Sequence, residues 1–254
     1  MIILGIEAAA RCCSTAVWEK GRILAEEKSN AGFTHSETLM PMVARALSLS
    51  GKTIDEVDVI ALTNGPGSFT GLRIGAASAK GLALGLSKPL LPVGTLEALT
   101  FTDHLPGVVR AGVMDARRSQ VYCAAYETVD GEETTVLEPD TLSAEEFADK
   151  LAALDRPVLM MGDAMDLYRT LFTEKLGKHF HEAPAHLKDL SAAAVCSLAA
   201  FKLAEAEKTG TVATVPSDEL TIDYLRKPQA VREREEREAR AAAAAAASAS
   251  EGQA

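Results

Sequence analysis

No C-x-x-C pair and no regular cysteine spacing occur in this chain; its four cysteines, Cys12, Cys13, Cys123 and Cys196, are two neighbours and two isolated residues. That pattern excludes a zinc knuckle and a disulfide framework, so reduced thiols in a cytoplasm are expected. No apolar run approaches the ~18 residues of a membrane span. The opening "MIILGIEAAARCC" puts no basic segment ahead of a long apolar one, and a soluble protein is expected. Positive charge is in deficit: 26 Lys and Arg face 36 Asp and Glu, for a formal net charge of −10. This balance favours solubility and argues against a surface that grips nucleic acid unaided. It leaves open a local basic patch, or nucleic acid reached through a partner. H-E-x-x-H is missing too, so a metalloprotease reading lacks its ligands.

What is present is ordinary for a globular protein: 47% hydrophobic and 24% charged residues over 254 positions, enough for one large domain or two. Strands are predicted at Ile2–Glu7, Ser14–Lys20 and, with weaker alternation, over 22–30. A helix follows over His35–Ser50, with a kink or late start at Pro41. Then come a buried strand over Val57–Thr63, a helix capped by Ser68 or Thr70 and running to Leu86, a strand in "KPLLPVG" and a short helix over Leu96–Thr102. The order β-β-β-α-β-α-β-α then repeats in "GVVRAGVMDA", "QVYCAAYET", "TTVLEP", a helix over Ser143–Leu154, "RPVLMMG" and helices over Asp163–Lys175 and Ser191–Lys208. Two copies of one topology imply two stacked α/β domains with a cleft between them, over residues 1–105 and 106–230. The tail over 231–254, with Glu233/Arg237 and Glu236/Arg240 at i,i+4 ahead of an alanine run, reads as a solvated helix or disorder, or as a partner-binding segment.

The stretch "NGPGSFTGLRIG", Asn64 to Gly75, sits where a strand feeds a helix. Glycines at a helix start leave backbone N–H groups open to an anion. Yet Gly71 is followed by Leu72 and Arg73 rather than Lys and Ser, and Gly65, Gly67 and Gly71 lack the dinucleotide interval. A tight turn with no ligand is the competing reading. Within the helix, Gly71, Gly75 and Ala79, and again Gly81 and Gly85, recur four apart, which lets another backbone approach closely. That approach serves either the chain's own sheet or a helix of another subunit.

Together, "GPGSFTGLRIGAASAKGLALG", "ILGIEAAARCCSTAVW", "FTHSETLMPMV", "VMDARRSQVYCAAY" and "YLRKPQA" resemble the TsaB (YeaZ) family, over roughly residues 1–228. The resemblance implies an actin-like, sugar-kinase-like fold of two RNase H-like domains. It also implies a role in forming threonylcarbamoyladenosine in tRNA beside the anticodon, with a TsaD-type transferase, a TsaE-type ATPase and tRNA met through the complex. The family's pairing, with TsaD or with a second copy, uses a bundle of the first two helices. Carried over, those helices offer His35, Leu39, Met42, Val43, Leu72, Gly75, Ala76 and Ala79 as contacts.

TsaD-type relatives carry H-L-E-G-H, whose histidines, four apart on one helix face, bind a metal. Here the corresponding run is "TLEAL", with Thr95 and Leu99 at the histidine positions, so no metal site is expected. Of the other histidines, His179 and His181 in "HFH" read as surface or loop residues, and His104 and His186 as isolated ones. Actin-like ATPases end their first strand with Asp followed by small hydroxyl residues. This chain has Glu7, Ala8, Ala9 and Ala10 there, with Asp115 as a candidate second carboxylate and Arg117 and Arg118 as surface, interface or anion-binding groups. The expectation is a non-catalytic subunit with a vestigial phosphate site at Glu7, Gly65, Gly67, Ser68 and Asp115. It would bind no cofactor alone, ATP and metal belonging to partner subunits. The alternative is a stand-alone actin-like ATPase or small-molecule kinase using Glu7 and Asp115.

Overall fold

Strand β1 (Ile2–Glu7) is buried along its whole length, as its unbroken apolar run requires. It pairs antiparallel with β2 (Cys13–Glu19), which turns through Lys20 and Gly21, both at positive φ, into antiparallel β3 (Arg22–Ser29). Helix α1 (His35–Ser50) buries Leu39, Met42, Val43, Ala46 and Leu47, the stripe its 3.6-residue period prescribes. It starts at His35 and runs through Pro41, so the late start expected there does not occur. Strand β4 (Val59–Thr63) lies parallel to β1; α2 (Phe69–Leu86) leads to β5 (Leu90–Val93), parallel to β4, and α3 (Thr95–Thr100) follows. The computed structural model describes residues 1–101, 107–225 and Arg237. The boundary expected at 105–106, His104 and the reading of the tail lie outside the described residues.

The second half repeats the plan with β6 (Val109–Asp115), β7 (Gln120–Val129), β8 (Glu132–Ser143), α4 (Ala144–Ala152), β9 (Val158–Met161) and α5 (Met165–Leu176). A short edge strand β10 (Phe180–Glu182), a single turn α6 (Ala185–Lys188) and α7 (Ala192–Thr209) complete it. The sheet orders are β3-β2-β1-β4-β5 and β8-β7-β6-β9-β10, with the second strand antiparallel and the later ones parallel in both. These are two RNase H-like sheets, stacked as in the actin-like fold. Among the described residues no helix is long and apolar enough to cross a membrane.

The layers run α1 and α2, first sheet, α3 and α7, second sheet, α4 and α5. The central helices are exchanged. Helix α7, from the second half, covers the first sheet, while α3, from the first half, covers β6 and β7. Glycine permits both approaches. A Cβ on Gly5 of β1 would lie 2.6 Å from the Cys196 Sγ and 2.7 Å from the Ala192 oxygen, and one on Gly112 of β6 would lie 3.1 Å from the Thr100 methyl.

After α7 the chain returns to the first half. Leu90 and Val215 exchange backbone hydrogen bonds of 2.9 and 2.7 Å, Leu220 enters the α1/α2 core, and the Asp223 N–H donates to the Asn64 oxygen at 2.7 Å.

Candidate functional site

Glu7 ends β1 fully buried. Its Oε1 accepts the N–H groups of Ala9 at 2.8 Å and Ala10 at 2.9 Å, and its Oε2 accepts the Thr63 hydroxyl at 2.6 Å. Burial raises its pKa from 4.5 to about 7, against the lowering pull of Thr63 and the two amides. The carboxylate fastens the turn between β1 and β2 to β4. The side chain is fully buried and does not line the cleft between the halves.

The glycine loop is packed shut from two sides. The Ser68 N–H donates to the Ala9 oxygen at 2.7 Å, and a Cβ on Gly67 would lie 2.5 Å from that oxygen. A Cβ on Gly71 would lie only 2.0 Å from the Ala8 oxygen. On the other side Gly65, at φ +135°, would place a Cβ 1.9 Å from the Asp223 oxygen. Ser68 caps α2, accepting the Gly71 N–H at 3.2 Å. Ala8, Ala9 and Ala10 bring no hydroxyl to the place where a phosphate would lie, so this loop does not fit the usual phosphate cradle. The glycines serve close packing of the chain on itself.

A cleft of about 770 Å³ opens between the two halves, lined on one side by Arg11, Phe33, His35, Ser68 and Phe69 and on the other by Asp115, Arg117, Tyr122, Asp163 and Asp166. Asp115 ends β6 as Glu7 ends β1, and it too fastens its own turn. Its Oδ1 accepts the Arg117 N–H at 2.8 Å and its Oδ2 lies 3.3 Å from the Arg117 guanidinium. The Asp115 N–H donates to Asp163 at 3.0 Å. Asp163, which the sequence reading passed over, has its pKa raised chiefly by burial, against the lowering pull of the Asp115 N–H and with a smaller push from the Asp115 charge. Its signal was available: a carboxylate close to the C-terminal end of a strand, two residues beyond β9, much as Glu7 ends β1. Asp166 pairs with Lys188. His35 Nε2 lies 3.2 Å from the Ala10 oxygen, at the cleft rim. The structure therefore brings Gly67, Ser68, His35 and Asp115 to one cleft, while Glu7 and Gly65 lie behind its wall.

The expected contacts on the first two helices need correction. Leu39, Met42, Val43, Ala76 and Ala79 belong to the chain's own core, Leu72 is buried, and Gly75 faces the Ala8 methyl with room for 3.2 Å. His35 turns to the cleft rim. These residues are the apolar stripe that holds α1 and α2 to the sheet, and a partner has no access to them. The outward positions include Met40, Ala44 and Ser48 on α1, and Thr70, Arg73, Ala77, Gly81 and Leu84 on α2. Composition could not separate the two stripes of small residues on α2, because both recur at four-residue spacing.

Thr95 and Leu99 are buried in the layer between the sheets, and the Thr95 N–H donates to the Gly65 oxygen at 2.8 Å. A hydroxyl and an isobutyl group are no ligand pair, so the metal of the histidine-bearing relatives does not fit here. His181 is a surface residue, exposed in β10, His186 is exposed in α6, and His179 Nε2 meets Asp155 at 3.1 Å. Arg117, Arg118 and Ser119 form the hairpin loop after β6, all three at positive φ.

A family model described as TsaD, tRNA N6-adenosine threonylcarbamoyltransferase, matches residues 27–231. The tRNA threonylcarbamoyladenosine biosynthesis protein TsaB of Escherichia coli is 37% identical over 153 residues, 55% of this chain and 64% of that protein. So the chain spans somewhat less than two thirds of that relative's length. The Bacillus subtilis protein of the same name is 31% identical over 178 residues, covering 70% of this chain and 77% of its own. Among solved structures, YeaZ from Pseudomonas aeruginosa superposes with a TM-score of 0.71 at 27% identity, over 88% of this chain and 99% of that one. With two RNase H-like sheets, a family model matched over most of its length and these relatives, the chain belongs to the TsaB (YeaZ) family of tRNA threonylcarbamoyladenosine biosynthesis proteins.

Proposed function

We propose that this protein is a non-catalytic subunit that supports a TsaD-type transferase, with a TsaE-type ATPase, in placing threonylcarbamoyl on the adenosine beside the tRNA anticodon. The observation that carries this reading is the state of Glu7. The carboxylate at the position of the fold's catalytic Asp is buried and spent on two amides and a hydroxyl of its own chain. ATP and metal would then belong to the partner subunits, and tRNA would be met through the complex, in keeping with a net charge of −10. The outward stripe of α2, with the outward side of α1, is the surface offered to the transferase, or to a second copy when the chain is alone.

Reconstitution tests this. The purified chain with tRNA and Mg·ATP should give neither ATP turnover nor modified tRNA, and omitting it from a mixture with the transferase and the ATPase should abolish modification. Full activity without the chain, or ATP turnover by the chain alone, would sink the proposal. The second outcome would favour the stand-alone ATPase instead.

A further inference from the structure

Arg73 stands on the outward stripe of α2, ahead of Ala77, Gly81 and Leu84 on successive turns. Its guanidinium lies 3.9 Å over the Phe69 ring, one turn back on the same helix, and its Nε donates to the Tyr224 hydroxyl at 3.1 Å. Tyr224 in turn packs on Phe69, the ring centroids 5.4 Å apart at 38°. Tyr224 does not hang free. The preceding Asp223 is bonded to Asn64, and Leu220 is buried among the apolar residues of α1 and α2. An exposed arginine ordinarily samples many rotamers, and ordering it costs conformational entropy. Here the face and one edge are already fixed by the chain itself.

Among the described residues the fixed group meets no carboxylate. Arg45, Arg110, Arg117, Arg156 and Arg169 each pair with a carboxylate, whereas Arg73 makes no ion pair among the described residues. Its Nη edge carries donors in the fork geometry that matches a planar two-oxygen anion. Helix α2 itself has two cations, Arg73 and Lys80, and no acidic residue. A partner helix lying along it would gain from an acidic side chain at this point.

We infer that Arg73 is a preset anchor of the partner surface, receiving a carboxylate from the transferase helix that docks along α2. The C-terminal segment ending at Tyr224 is its positioning device. The inference rests on the docking reading given under Proposed function and adds to it a specific ligand class and a task for residues 215–224. A protein carboxylate fits better than a nucleic-acid phosphate because the rest of the stripe, Ala77, Gly81 and Leu84, is small and apolar. Such a surface suits close helix packing rather than a backbone of repeated negative charge.

Calorimetric titration of the full chain with the purified transferase, at low and high salt, tests this, with circular dichroism confirming each variant's fold. Arg73→Ala is expected to weaken association at least tenfold and to flatten its salt dependence. Arg73→Lys should not restore it, and Tyr224→Phe should weaken it about threefold. Ala77→Trp, which blocks the stripe sterically, is the control for the docking reading. Loss of association with Ala77→Trp but none with Arg73→Ala or Tyr224→Phe overturns the anchor and leaves the docking surface standing. No loss with Ala77→Trp overturns the docking reading itself. If Arg73→Ala leaves protein association intact but lowers tRNA binding by the assembled complex, the anion is a phosphate and the inference is wrong.

Discussion

At Glu7 a titratable group and a structural tie are the same atoms. Its ordinary pKa of 4.5 is raised to about 7 in the fold, so between those values the native state holds a proton that the unfolded chain has released. Stability from this residue is therefore complete below pH 4.5 and declines as pH rises towards and through 7, by about 3 kcal/mol in total. Neutral Glu7 can donate to the Thr63 hydroxyl while its other oxygen accepts the two amides. Glu7→Gln keeps the same donors and acceptors, so the difference in urea-unfolding free energy between wild type and Glu7→Gln should fall from pH 5 to pH 8. A difference that is flat with pH would show that the carboxyl is ionised throughout. The glycines of α2 divide in the same local way. Gly71→Ala would put a methyl 2.0 Å from the Ala8 oxygen and should cost about 3 kcal/mol or more, whereas Gly81 has open space around its Cβ position. Gly81→Ala should stabilise the free chain by about 0.5–1 kcal/mol, as read by the urea midpoint.

Helix α2 shows what sequence patterning could and could not reveal. Its start at Ser68 and its end near Leu86 were legible, since a capping side chain and a strand-to-helix change of period are local signals. Its orientation was not, because small residues line both the stripe facing Ala8 and the stripe facing solvent. Hence Ala79 and Ala77, two positions apart, are predicted to respond in opposite ways. Ala79→Trp should unfold the chain, while Ala77→Trp should leave its circular dichroism and melting unchanged and abolish pairing in a pull-down. Melting curves that fail to separate the two variants would contradict the assigned face. The strand β10 and the turn α6 were missed because three- and four-residue elements carry too little periodicity to stand out. The path of residues 215–224 was missed for a different reason. It is set by contacts with Asn64, Phe69, Arg73 and Leu90, which are remote in sequence.

For the molecule as a whole, the repeated β-β-β-α-β-α-β-α order was sufficient to read two stacked sheets, because each strand and helix announced itself locally. The roles of the carboxylates that end the first strand of each half were half legible. Glu7 and Asp115 stand at matching strand ends, and that correspondence is visible in the letters, but which way each points depends on the turns they fasten. The exchange of α3 and α7 between the halves was not legible, since nothing in a helix names the sheet it will cover. Its consequence reaches beyond packing. With each half lending the other its inner wall, neither can be cut away or exchanged for another module without stripping the survivor. Any rocking of one half against the other must also drag a borrowed helix across a glycine seam. The two halves are thus riveted together twice, each by a helix that the other lends.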